Sequence, residues 1–333
     1  VPVGKALRVT AWVLIPIVAI VGVVVGALPP LLRGRINAGL ANMKDGYAGH
    51  VQDVSVQWLE PGVTLHELRV ERPRHKVGAP FLVVQRLEVE IVLDKLFDPR
   101  IGLRFVDGHV SFVDGPTRAD QQWGPSFTLR DLREKLPFDL RFVQLANTEV
   151  HLRNFHARPP LDAYVHNVEL TIAPLDRCIQ DPPQGCHARA TLRSTLMAGA
   201  SLRAQLAFRH DDAFALDGSG QIRRLILTQV NPTLIHYAKL DIQEGDLDLD
   251  VRLRMRGRRY HFTLLPDFER VRIMGGERDK TYAGREMLAA MVAGIVVRHD
   301  EGWSIVIDGT QGRGDAAWKL ERRGPKPQIL ASP

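Results

Sequence analysis

The sequence predicts a mainly β chain with a few short helices, carried behind an N-terminal transmembrane helix. Three observations predict it. Val9 to Leu32 holds no charged residue. Many later segments alternate apolar and polar residues with a period of two, the mark of strands with one dry and one wet face. Pairs such as Pro61-Gly62, Asp107-Gly108 and Glu244-Gly245 fall between those segments, where turns are expected.

The apolar run comes first. Its core is Trp12 to Leu28, and about 20 residues at 1.5 Å each span a hydrocarbon core of ~30 Å. Pro16, Gly22 and Gly26 are tolerated in membrane helices. Lys5 and Arg8 precede the run and Arg33 and Arg35 follow it, so charge does not set the orientation. The expected division is a cytoplasmic stretch at 1–8, the span at 9–32 and the bulk of the chain outside the cytoplasm. Val25-Gly26-Ala27 also resembles a signal-peptide cleavage site, an alternative that still exports the remainder.

Pro29-Pro30 is expected to end the span. Residues 33–46 then read as an amphipathic juxtamembrane helix with Ile36, Leu40 and Met43 on one side, closed by Gly46. From 47 to 321 a β-rich domain is expected, and from 322 a loose tail. Val54, Val56 and Trp58 alternate with polar residues, and so do Leu87, Val89 and Ile91. Leu103 and Phe105 lead into Asp107-Gly108, which predicts a hairpin turn before Val110 and Phe112. Leu206 and Phe208 continue the pattern, as do Leu249, Val251 and Leu253 with charged partners between them. Such alternation predicts an antiparallel sheet. Helical islands are expected from Asn231-Pro232 to His236 and from about 284 to 293, and a last hairpin turns at 300–302.

Cys178 and Cys186, the chain's two cysteines, bracket a loop with two prolines and a glycine. They read as one disulfide closing that loop, or as two thiols in a reducing compartment; export favours the disulfide. No catalytic spacing occurs: there is no nucleophile elbow, paired zinc-binding histidine motif or phosphate-cradling loop. The 12 histidines are scattered, and no metal or cofactor is expected. The net charge is +6, but the basic residues alternate along strands as on a solvated face, so no nucleic-acid partner is expected.

The apolar stripe therefore carries the functional question. Either two such faces close on each other as a core, or the sheet stays open and shelters hydrocarbon. The candidate lining is Leu87, Val89, Ile91, Leu103, Phe105, Leu206, Phe208, Leu249, Val251 and Leu253.

The order of several motifs resembles the AsmA-like proteins of Gram-negative envelopes, in the branch known as domain of unknown function 748. The motifs are Ile36-Asn37, Leu40-Ala41, Gly46-Tyr47, the segment Gly62 to Val70, Pro80-Phe81, Asp107 to Phe112, Phe127 to Leu129 and Leu136-Pro137. Leu227 to Tyr237 with Leu240 to Leu247 is the nearest of them. The resemblance implies a single-pass inner-membrane protein with a long, curved, U-shaped sheet in the periplasm. It implies a phospholipid or other acyl-chain partner, a role in lipid transfer and outer-membrane homeostasis, and no catalytic residues. About fifteen strands at ~4.8 Å would give a groove of roughly 70 Å. The alternative is an assembly or scaffold factor with a closed β core that binds other envelope proteins.

Overall fold

The computed structural model describes residues 27–57, 61–73, 78–93, 99–117, 119–125, 139–175, 186–210, 214–238, 241–257, 259–274, 303–310 and 317–322. The expected span up to residue 26, Cys178, the helix at 284–293, the turn at 300–302 and the tail beyond 322 lie outside these residues. Cys186 is the first residue of a strand.

Helix α1 covers residues 27–40. It runs through Pro29-Pro30, which were expected to end the span, and on to residue 40 rather than 46. A proline forfeits the bond to the carbonyl four residues earlier, so the turns after Pro30 keep all of theirs. Among the described residues no helix is long and apolar enough to cross a membrane. A short 3-10 turn at Lys44–Gly46 follows, with Gly46 at φ 75.

Among the described residues thirteen strands make one sheet in chain order, and no pairing there closes it. They are β1 Ala48–Gln57, β2 Gly62–Glu71, β3 Leu82–Leu93, β4 Pro99–Val113, β5 Asp139–Asn154, β6 Leu161–Ala173 and β7 Cys186–Leu196. The series continues with β8 Ser201–His210, β9 Phe214–Ile226, β10 Asp241–Arg256, β11 Arg259–Met274, β12 Trp303–Thr310 and β13 Ala317–Arg322. Helix α2, Leu227–Ala238, sits between β9 and β10 and starts four residues before the expected Asn231-Pro232.

The expectation of an antiparallel sheet needs correction, because β4 and β5 are parallel. Asp107-Gly108 is no hairpin either. Asp107 takes φ 54 inside one long strand, β4, so the chain kinks there and runs on with its register to β3 and β5 unchanged. β4 ends at Val113 and β5 begins at Asp139, a separation in the chain long enough for the connection that a parallel pair demands. Glu244-Gly245 is likewise internal to β10, where the register with β11 shifts. Phe142 and Val150 belong to one long strand, β5, which is interrupted at Asn147 with φ 49.

These interruptions explain why burial departs from strict alternation. Val51 and Val54 are both buried, and so are Leu65 and Leu68, because Glu67 at φ 52 steps out of the pleat between them. The densest core lies at the N-terminal end. Tyr47, Val51, Val54, Leu65, Leu68, Val70, Val84 and Leu87 form it, with Leu32, Ile36, Leu40 and Met43 packed against it. The helix thus spends its apolar side on the protein's own sheet. A Cβ at Gly49 would lie 3.1 Å from Leu40 Cβ, so the missing side chain lets α1 approach β1.

Candidate functional site

The register places all ten predicted lining residues on one side of the sheet. Leu87 lies opposite Phe105, Val89 opposite Leu103 and Ile91 opposite Ile101. Across the parallel pair Leu103 meets Val143 and Phe105 meets Leu145. Further on, Leu206 lies opposite Gly218 and Phe208 opposite Leu216. Gly218 in turn pairs with Leu253, Gly220 with Val251 and Ile222 with Leu249. The same side continues to Phe262, Leu264 and Pro266 in β11. Paired residues share a face, so this is one uninterrupted apolar surface from β2 to β11.

Gly218 and Gly220, which resemble a phosphate loop only superficially, are spacers in that surface. A Cβ at Gly218 would collide with Leu206 Cδ2, so Leu206 lies across the bare backbone of β9. Gly102, on the opposite face beside Glu90, leaves room in the same way for the ring of Phe142.

Coverage of the apolar surface changes along the sheet. In β1 to β4 it is covered by α1 and by an aromatic chain. Tyr47 packs edge-on against Phe81 at 5.6 Å, Phe81 against Phe112 at 5.8 Å, and Phe112 lies 6.1 Å from Trp123. The Gly124 N–H donates to the Tyr47 hydroxyl at 3.0 Å, which ties the crossover to this cap. Burial pushes the Tyr47 phenol up, against the opposing pull of that hydrogen bond and of Arg72. From β8 onward no such aromatic chain lies over it among the described residues. Leu206, Phe208, Leu249, Val251, Leu253, Phe262 and Leu264 are half-buried, as Val89, Ile91, Leu103 and Phe105 already are in β3 and β4, and the elements outside the sheet that meet these strands are α2, at β10, and the 3-10 turn Met197–Gly199, at β9. Leu87 alone of the ten is buried.

The opposite face is polar, as the alternation of Asp248 and Asp250 with arginines suggested. Arg223 pairs with Asp250 and, at 3.8 Å, with Asp248. Asp217 accepts from Arg256 and Arg209, and these hydrogen bonds hold its carboxyl below the usual carboxylate range. A cleft of about 520 Å³ is lined by Gly199, Arg224, Ile226, Asp246, Asp248, Asp267 and Glu269. It includes none of the ten apolar residues.

Two asparagines secure strand backbone that, among the described residues, lacks a neighbouring strand on one side. Asn37 of α1 accepts from the Val51 N–H at 2.7 Å and donates to its carbonyl at 3.0 Å, replacing a strand partner on the edge of β1. Asn231 of α2 accepts from the Ile242 N–H and donates to Asp241, both at 2.8 Å, at the start of β10.

Compared with known proteins, the chain matches no family model and no curated relative.

Sequence reading missed a cluster on the polar face. His109 in β4 and His151 in β5 lie with ring centroids 4.5 Å apart, and Glu149 is beside both. Only the parallel pairing of β4 with β5 brings them together, and no local spacing signals it.

Proposed function

We propose that this is a lipid-handling protein of the cell envelope, anchored in a membrane and exposed outside the cytoplasm. Acyl chains would lie along the apolar surface, in the manner that the resemblance to AsmA-like proteins implies. The observation that carries this reading is the half-buried stretch from β8 to β11, continuous with the capped surface of β1 to β4. Thirteen strands at ~4.8 Å make a surface roughly 60 Å across, several times the width of an acyl chain. Covering each exposed methylene contributes ~0.8 kcal/mol, so a long chain gains enough to leave water. Curvature of the sheet into a trough and placement of α1 at the membrane end belong to the same proposal. The rival scaffold reading needs a closed β core. It draws on the far end of the open sheet, where among the described residues no strand lies beyond β13 and its edge could take strand addition.

Photocrosslinking tests the choice. A photoreactive residue at Val251 faces the apolar side and one at Arg252 the polar side. Lipid handling predicts phospholipid adducts at 251 and few at 252. Adducts at neither site, or protein adducts alone, would favour the scaffold.

A further inference from the structure

We propose that His109, Glu149 and His151 bind a divalent transition metal of the zinc class on the polar face of the sheet. One ligand atom from each lies within 4.8 Å of the others. His109 Nδ1 is 3.4 Å from Glu149 Oε2, and His151 Nε2 is 3.7 Å from the same oxygen. Zinc bound to N and O at ~2.0–2.1 Å in a tetrahedron separates its ligands by roughly 3.4 Å. The two measured separations are therefore near those of a bound site, before any ion draws the groups in.

The other ring nitrogens are already engaged in the way that metal-bound imidazoles require. His151 Nδ1 lies 2.7 Å from Asp162 Oδ1, and His109 Nε2 lies 3.0 Å from Ser111 Oγ. Those partners turn His151 Nε2 and His109 Nδ1 toward Glu149. The supports are themselves held. Ser111 is fully buried, and Arg153 reaches Asp162 at 3.1 Å, Ser111 at 3.2 Å and His151 Nδ1 itself at 3.2 Å. Tyr164 stacks on His151 at 5.5 Å and limits its rotation. Arg153 opposes a cation, but Asp162 offsets its charge.

Two imidazoles with one carboxylate select zinc, cobalt, nickel or copper over calcium and magnesium, which prefer all-oxygen sites. Glu149 is 54% exposed, so water can complete the coordination. The site does not depend on the lipid reading, since it lies on the other side of the sheet.

The test is titration of the untagged, full chain in detergent, stripped with chelator, with Co2+ and then Zn2+. The expected result is visible Co2+ absorption that saturates at one equivalent, bleaches on zinc addition, and accompanies a rise in Tm. Glu149→Gln changes an exposed side chain, so it should fold and weaken Co2+ binding by at least tenfold. His109→Ala with His151→Ala should abolish it, and Asp162→Asn should weaken it about 10–100-fold. A control, His50→Ala, should leave it unchanged. No saturable Co2+ spectrum in the wild type, or one that Glu149→Gln and the double histidine variant retain at full affinity, overturns the proposal.

Discussion

The side-chain amide of Asn147 donates to Asp107 Oδ1 at 2.6 Å, joining two left-handed residues on the neighbouring strands β4 and β5. Asn167, at φ 52 in β6, and Glu67, at φ 52 in β2, hold the same conformation. Extra residues in paired strands bend the strand and raise the local twist. Asn and Asp tolerate this conformation, whereas a β-branched residue does not. Asn147→Val should therefore cost about 2–3 kcal/mol, from backbone strain together with the lost bond. Asn147→Gly should cost less than about 1 kcal/mol, since it relieves strain while losing the bond. Urea unfolding of the two variants checks the ordering; equal losses would mean that the bond, not the conformation, matters there.

Asn37 predicts a second effect. Val51 is fully buried, and its N–H and carbonyl both rely on Asn37. Asn37→Leu keeps the size of the side chain and removes both partners. A buried amide left unpaired costs about 1–3 kcal/mol, so this variant should lose that stability. It should also expose residues 27–40 to protease before the sheet unfolds. Unchanged cleavage would show that the apolar contacts of Leu32, Ile36 and Leu40 suffice to hold α1.

The two ends of the apolar surface should respond differently to charge. Val84 is 0% exposed in the capped core, and Val251 is half-buried in the open stretch. Val84→Asp buries an unpaired carboxylate and should cost more than about 3 kcal/mol. Val251→Asp can reach water and should cost roughly 1 kcal/mol or less, while removing lipid adducts. Thermal unfolding of the purified variants distinguishes them. Equal, large losses would make Val251 a core residue and count against an open surface.

Much of this surface was legible in the sequence because burial imposes period two. Leu87, Val89 and Ile91, or Leu249, Val251 and Leu253, need only a strand to share a face. The amphipathic side of α1 was legible for the same reason, though its target is the sheet core. The kinks were not legible. Asp107-Gly108 has the chemistry of a turn, and a left-handed residue inside a strand uses the same chemistry. What decides between them is the crossover after Val113, a non-local matter. The His109 and His151 pair was hidden for that reason too, since 42 residues separate them in the chain and only the β4–β5 register joins them.

The same pair predicts a pH response in metal-free buffer. Burial lowers the His109 pKa, and the nearby His151 and Arg153 push the same way, against the weaker raising effect of Glu149. Above the unfolded value of about 6.5 the imidazole is neutral in both states. As pH falls through that value the unfolded chain takes up a proton first, while the folded protein resists. Stability is therefore fully present above about 6.5 and lost as pH falls toward the lower folded pKa. Partial exposure screens the effect, so its direction is the prediction. His109→Gln removes the titrating group, and the stability difference between wild type and variant should shift against the wild type on acidification. Urea midpoints at several pH values between about 7.5 and 5 measure this, with carboxylate effects cancelling in the difference. A difference that stays flat would mean that His109 is as free to protonate in the sheet as in the unfolded chain, and one that moves in favour of the wild type would mean that the sheet favours its protonation.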